Sequence, residues 1–156
     1  MPLARLTDFL DEHDKKYVVV KHSQAYTAQE VAASAHIPGR EMAKSVMVKI
    51  DGDLKMVVLP STHTVDFEQV KEAFNADEVE LATEEEFESL FPDCELGAMP
   101  PFGNLYEIET IVAESLTDDE EIAFNAGTHK ELVKMSYDDF EELVRPTIMP
   151  LATRQV

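Results

Sequence analysis

The segment Ala43-Lys44-Ser45-Val46-Met47-Val48-Lys49-Ile50-Asp51-Gly52-Asp53-Leu54-Lys55-Met56-Val57-Val58-Leu59 constrains this chain more than any other. Two apolar runs, 45–50 and 54–59, flank Asp51-Gly52, a dipeptide that readily supplies the positive φ angles of a type I′ turn. The turn sets the register of a hairpin, and the rest of the fold has to accommodate a sheet built on it.

Around that hairpin, helical and strand patterns alternate. Leu3, Leu6, Phe9 and Leu10 have helical spacing, so 3–13 reads as an amphipathic helix, and 17–20 as a short strand. Thr27-Ala28-Gln29-Glu30 is a capping box for a helix that stops near Ile37-Pro38-Gly39. Asp66 is placed to cap a helix over 67–74, and 79–81 reads as a strand. Thr83 and Glu86 open a helix over 84–91 that Pro92 ends. The spacing predicts strands over 105–108, 110–113, 121–126 and 131–135, with a turn at Gly127-Thr128-His129. Ser136 caps a last helix over 137–144, closed by Pro146, and the tail from about 147 reads as loose. Hairpins dominate the pairing, which predicts an α+β fold with a mixed sheet. A length of 156 residues fits a single domain spanning 1–156.

Charge narrows the function classes. The net charge is −19, yet residues 1–60 hold eight Lys/Arg against eight Asp/Glu, and residues 61–156 hold five against twenty-four. An acidic half of this kind solvates its own surface and repels polyanions, so DNA is not an expected partner, and an RNA should approach the neutral N-terminal half. No apolar run is long enough for a membrane helix, and the N-terminus lacks a signal-peptide core, so a cytoplasmic location with no membrane contact is expected. One cysteine, Cys94, excludes an internal disulfide framework. The five histidines lack the spacing of a helical zinc site, and neither a Walker pattern nor GxGxxG is present, so no metal or cofactor is expected.

Three features carry possible chemistry. Cys94 as a nucleophile would need a base such as His63 or His129, and its acidic neighbours Asp93 and Glu95 work against a thiolate. Lys44 alternates with Val46 and Val48 on one strand face, so its ammonium either snorkels at the strand end or points into a cleft. Gly97-Ala98-Met99-Pro100-Pro101-Phe102-Gly103 is either a rigid connection or a ligand loop. In the second case glycine admits close backbone approach, fixed N–H groups bind a carbonyl oxygen gaining charge, and Met99 and Phe102 wall an apolar pocket.

With Lys44 opening its strand and the GxxxPxG pattern of 97–103, the sequence resembles the YbaK/EbsC family, which includes the editing insertion of bacterial prolyl-tRNA synthetases. The resemblance extends over 27–32, 43–48, 57–60, 65–66 and Phe124-Asn125-Ala126-Gly127-Thr128. It implies a mixed, partly barrel-like sheet flanked by helices. It also implies hydrolysis of mischarged aminoacyl-tRNA, with alanine or cysteine on the proline tRNA as the expected esters. By the same resemblance Lys44, Gly97 and Asn125 carry catalysis, while His22, Ser45, Met99, Pro100, Pro101, Phe102, Gly103 and Glu131 line the substrate site. No protein nucleophile is expected: water, or the substrate's own hydroxyl or thiol, attacks. The partner is the tRNA acceptor end, and the acidic half points to a synthetase or elongation factor as the source of tRNA affinity. The rival reading is a non-catalytic module that keeps the pocket for a small ligand or nucleotide.

Overall fold

A computed structural model describes residues 3–22, 32, 33, 35 and 37–154. The hairpin forms as its sequence dictates: β2 (Ala43–Ile50) pairs antiparallel with β3 (Asp53–Pro60), Asp51 and Gly52 having φ of 50° and 88°. Ala43 and Met47 of β2, with Met56 and Val58 of β3, enter one apolar core, while Val48, Ile50, Val57 and Leu59 enter a second on the opposite face. A sheet buried on both faces needs apolar residues in both phases, which is why these strands read as near-continuous apolar runs.

Other strands complete three sheets among the described residues. β5 (Val79–Leu81) adds to β2, while β6 (Thr110–Ala113) and β9 (Thr147–Met149) add in parallel beyond β3, in the order β5-β2-β3-β6-β9. β1 (Tyr17–Lys21), β8 (Glu131–Ser136) and β7 (Glu121–Thr128) form a second, antiparallel sheet in that order. β4 (His63–Val65) pairs with β10 (Ala152–Arg154). A bridge between Met42 and Ala123 joins the two larger sheets, which do not close into a barrel. Mixed pairing with flanking helices is the expected α+β architecture.

Helix ends follow local chemistry. α1 (Ala4–Glu12) buries Leu6 and Leu10. α2 (Phe67–Phe74) begins where the Asp66 carboxylate accepts from the Gln69 amide, and stops at Asn75 in the left-handed region. The Thr83–Glu86 capping box opens α3 (Glu84–Phe87), which is shorter than its pattern predicts and tightens into a 3-10 turn over Glu88–Leu90. Lys49, 2.6 Å from Glu86, and the Thr83 amide hold the Glu86 carboxyl down at about 2. Ser136 caps α4 (Tyr137–Val144). No helix among the described residues is long and apolar enough to cross a membrane.

Two expectations fail, and one lies out of view. Residues 105–108 are not a strand: Gly103–Tyr106 is a 3-10 turn closed by Ile108 N–H on the Gly103 carbonyl, with Glu107 at φ 59°. Gly103 lacks a Cβ for packing reasons, because one would come within 2.5 Å of both the Ile108 carbonyl and Thr110 Oγ1. The tail beyond 147 is not loose either, since β9 joins β6 and β10 joins β4. Parallel and distant partners of this kind leave no local signal. The capping box at Thr27–Glu30 lies outside the described residues.

Phe102 has no exposed surface and is ringed by Phe124 at 5.5 Å, Phe140 at 5.4 Å and Phe9 at 6.2 Å. Chemical denaturation of Phe102→Ala should show a loss of about 3–5 kcal/mol, as expected for emptying an aromatic core position. Asp119 offers a pH test. Burial first, then Glu41 and Asp118, push its carboxyl up to about 6, with Arg40 opposing. A folded-state value above the ordinary 3.8 means that stability falls as pH rises through this window. Asp119→Asn should therefore gain about 1 kcal/mol at neutral pH, allowing for partial exposure, and the gain should disappear in acid below the ordinary aspartate value.

Candidate functional site

β7 organises the site because its two edges do different work. One edge pairs with β8 as far as Asn125, where a bulge interrupts the register before Thr128. Along the other edge, Ala123 meets Met42, the Leu3 N–H donates to the Ala126 carbonyl at 2.8 Å, and Gly127 meets the glycine-proline loop. The start of β2 and the loop are thereby set along one strand edge, with Asn125 between their attachment points.

Alternation then places the side chains. Met42 and Ala123 share a face, so Lys44 and Asn125, each two residues further on, project to that side. Val20 pairs with Leu132 and Leu132 with Asn125, so His22, two beyond Val20, continues the same face. Val20, Met42, Ala123 and Leu132 pack into one small cluster, which confirms that these positions face together. Ser45 leaves β2 on the other side, towards the main core. Glu131 precedes Leu132, the partner of Asn125, so alternation sends it to the other face of β8, where it is buried.

Lys44 is half-buried, and burial lowers its pKa from the ordinary 10.5. No carboxylate of the described residues lies within ion-pair distance of it. Burying an ammonium without a counter-charge costs free energy, a cost that an incoming anion or ester oxygen would offset. Asn125 Oδ1 and Ser45 Oγ are likewise buried without hydrogen-bond partners among the described residues. Buried polar atoms of this kind are uncommon and call for an explanation.

The loop is clamped by four contacts. The Glu95 N–H donates to the Gly127 carbonyl at 2.8 Å, and the Gly127 N–H returns a bond to the Ala98 carbonyl at 2.9 Å. The His129 N–H donates to Glu95 Oε1 at 2.8 Å, and its ring Nε2 donates to the Leu96 carbonyl at 2.7 Å. Gly97 is exposed at φ 85°, whereas Ala98 through Gly103 are buried. Within the loop, the Gly97 and Met99 N–H groups have no partner among the described residues. Phe102 is a core residue rather than the pocket wall expected of it, and Pro100 and Pro101 are buried beside it. Met99 is the apolar residue of the loop that reaches a cavity. His129 and Glu95, absent from the expected site, are what hold the loop. Their only sequence signal was proximity to a glycine, Glu95 two residues before Gly97 and His129 two after Gly127.

Cys94 is not built as a nucleophile. Its sulfur lies 3.2 Å from the Tyr106 hydroxyl and 4.0 Å from Asp93 Oδ1, and burial, with Asp93 adding, pushes the thiol up. No three His, Cys, Asp or Glu side chains among the described residues are grouped to hold a metal ion.

The family model of the aminoacyl-tRNA editing domain matches residues 22–143, from His22 into the last helix. The chain belongs to the aminoacyl-tRNA editing domain family. Over 101 residues this editing domain is 34% identical to a proline--tRNA ligase of Bacillus mycoides (strain KBAB4) and to one of Bacillus cereus (strain AH187). Each alignment covers 65% of this chain but 18% of the ligase, so the chain spans less than a fifth of those relatives. Solved structures share its fold. A hypothetical protein superposes with a TM-score of 0.85 at 18% identity, covering 96% of this chain and 99% of its own. A candidate trans-editing enzyme for prolyl tRNA synthetase superposes with a TM-score of 0.80 at 18% identity, covering 97% and 96%.

Gly97→Ala tests the loop conformation. A Cβ there meets nothing closer than His129 Cε1 at 3.5 Å, so the cost comes from the positive φ rather than from crowding. Thermal or denaturant unfolding should show a loss of about 1–2 kcal/mol.

Proposed function

We propose that this editing domain is a trans-acting hydrolase that removes wrongly attached amino acids from tRNA, with alanine or cysteine on the proline tRNA as the first esters to test. The observation that carries the reading is Lys44: a half-buried ammonium with no carboxylate partner among the described residues, on the same face as Asn125, whose Oδ1 is buried and likewise without a partner there. Membership of the editing family and sequence similarity to bacterial proline--tRNA ligases support an aminoacyl-tRNA as the substrate class.

The chemistry follows from charge development. Water, or a hydroxyl or thiol of the substrate itself, attacks the ester carbonyl, and the bond from acyl carbon to ribose oxygen breaks. With water the products are the free amino acid and a free ribose hydroxyl. The carbonyl oxygen gains negative charge in the transition state, and the Gly97 and Met99 N–H groups, without partners among the described residues, are the candidate donors to it. Lys44 holds the phosphate or ribose of the acceptor end, so the ester is presented in one orientation. Asn125 supplies its buried Oδ1 as an acceptor for the ammonium of the amino acid or a hydroxyl of the terminal ribose. The protein positions and polarises; it forms no covalent intermediate.

The acidic half sets the limits on tRNA affinity. Twenty-four acids against five bases in residues 61–156 oppose a broad RNA footprint, so contact is confined to the acceptor end and a synthetase or elongation factor supplies the remaining affinity in the cytoplasm.

Purified protein incubated with a panel of aminoacylated tRNAs should accelerate ester loss for a subset of them. Lys44→Ala should lower that rate at least about 100-fold with unchanged unfolding behaviour, since misplacing the ester alone carries a penalty of that size. Full activity in Lys44→Ala would remove the assignment. Binding of the acceptor end with no ester loss across the panel would make the protein a binding module.

A further inference from the structure

Behind the glycine-proline loop, on the side of Cys94 and Leu96, lies a hollow of about 310 Å³. Phe87, Phe91 and Met99 give it an apolar lining, and all three are anchored in the main core. Phe91 packs at a tilt against Tyr106, centroids 4.5 Å apart, and meets Phe87 edge-on at 6.3 Å, so the lining is formed before anything binds. The volume lies at the low end of the range for small-molecule sites, about 300–1,000 Å³. It suits one large side chain better than a cofactor.

What surrounds the hollow defines its occupant. Leu96, on its edge, is 42% exposed, and Leu90, in the adjoining turn, is 39% exposed. Two large aliphatic side chains in water beside a preformed apolar hollow extend the apolar surface beyond the hollow itself. The surrounding segment, residues 84–95, contains six acids and no Lys or Arg. Glu86 is engaged by Lys49 and Asp93 by Arg5, but Glu84, Glu85 and Glu88 have no cation within ion-pair distance among the described residues. An apolar centre with an acidic rim is the complement of an apolar anchor flanked by bases.

We propose that this surface docks a basic segment of a partner protein, which inserts one large apolar side chain between Phe87, Phe91 and Met99. The rim excludes nucleic acid and acidic peptides, while the hollow excludes basic segments that lack an anchor. Docking reaches the loop directly, because Glu95, Leu96 and Met99 line the hollow and the first two carry the bonds to His129. Resting on the editing reading for this consequence alone, the bound segment stiffens the acyl-binding loop and raises the deacylation rate. A partner that brings its own bases also supplies the positive surface that the acidic half lacks.

The test uses the intact chain with its seven methionine methyl groups labelled for NMR. Four probes are titrated: a Lys-rich peptide with one central Phe, the same peptide with Ala for Phe, a Glu-rich version that keeps the Phe, and phenethylamine. The first peptide should move the Met99 methyl signal and bind at least about tenfold more tightly than the second or third. Leu90→Asp and Glu85→Lys/Glu88→Lys, all at exposed positions outside the deacylation site, should each weaken it by a similar factor. Equal binding of the Ala peptide would reduce the effect to unspecific charge attraction and overturn the proposal. So would an unmoved Met99 signal, or a response to phenethylamine as strong as to the peptide, which would mark a small-molecule site. The signal is independent of ester hydrolysis. Binding without any deacylase activity would therefore retain the surface while removing the editing reading.

Discussion

The free edge of β7 is the constraint on which the rest of the site depends. A strand edge exposes N–H and C=O groups at fixed intervals, and each must find a partner if it is buried. Here the edge is used by Met42 at Ala123, by Leu3 at Ala126 and by the loop at Gly127. These partners come from the entry to β2, the N-terminus and the middle of the chain. Three distant segments are thus fixed relative to one another by one row of main-chain groups, and Lys44, Asn125 and Gly97 take their places from that row.

The arrangement separates the anchored parts of the loop from its unpartnered donors. Phe102 ties the C-terminal half of the loop into an aromatic core with Phe9, Phe124 and Phe140, while His129 and Glu95 clamp its N-terminal half. The stretch between the clamps keeps N–H groups at Gly97 and Met99 that have no partner among the described residues. Donors held open by a stiff surround need little reorganisation when charge develops next to them. An uncharged loop in a chain of net charge −19 is consistent with that role, because a carboxylate there would repel a carbonyl oxygen gaining negative charge.

Much of the fold was legible because its signals are local. Asp51-Gly52 set the hairpin, Asp66 and Ser136 capped their helices as expected, and Thr83 with Glu86 formed a capping box. The failures share a cause. Residues 105–108 alternate like a strand, but Gly103 packed against Ile108 and Thr110 turns the backbone into a 3-10 turn. Residues beyond 147 have no turn or hairpin signal, because their partners are β6 in parallel and β4 far back in the chain. Phe102 sat inside a motif that marks a binding loop, yet its ring has no exposed surface. A motif identifies the backbone segment and does not say which side of it faces the core.

By itself the sequence determined the hairpin register, the helix caps, the acidic half, and the family to which Lys44 and the GxxxPxG loop point. Each rests on neighbours in the chain or on a pattern read residue by residue. Only the tertiary structure decided that Lys44 and Asn125 share a face, that Glu131 does not, and that His129 and Glu95 secure the loop. Lys44 and Asn125 are brought to one face by pairing between segments about eighty residues apart, the face of Glu131 follows from the β7–β8 register, and His129 meets Glu95 across 34 residues of chain. Side-chain direction reverses with every one-residue shift in strand pairing.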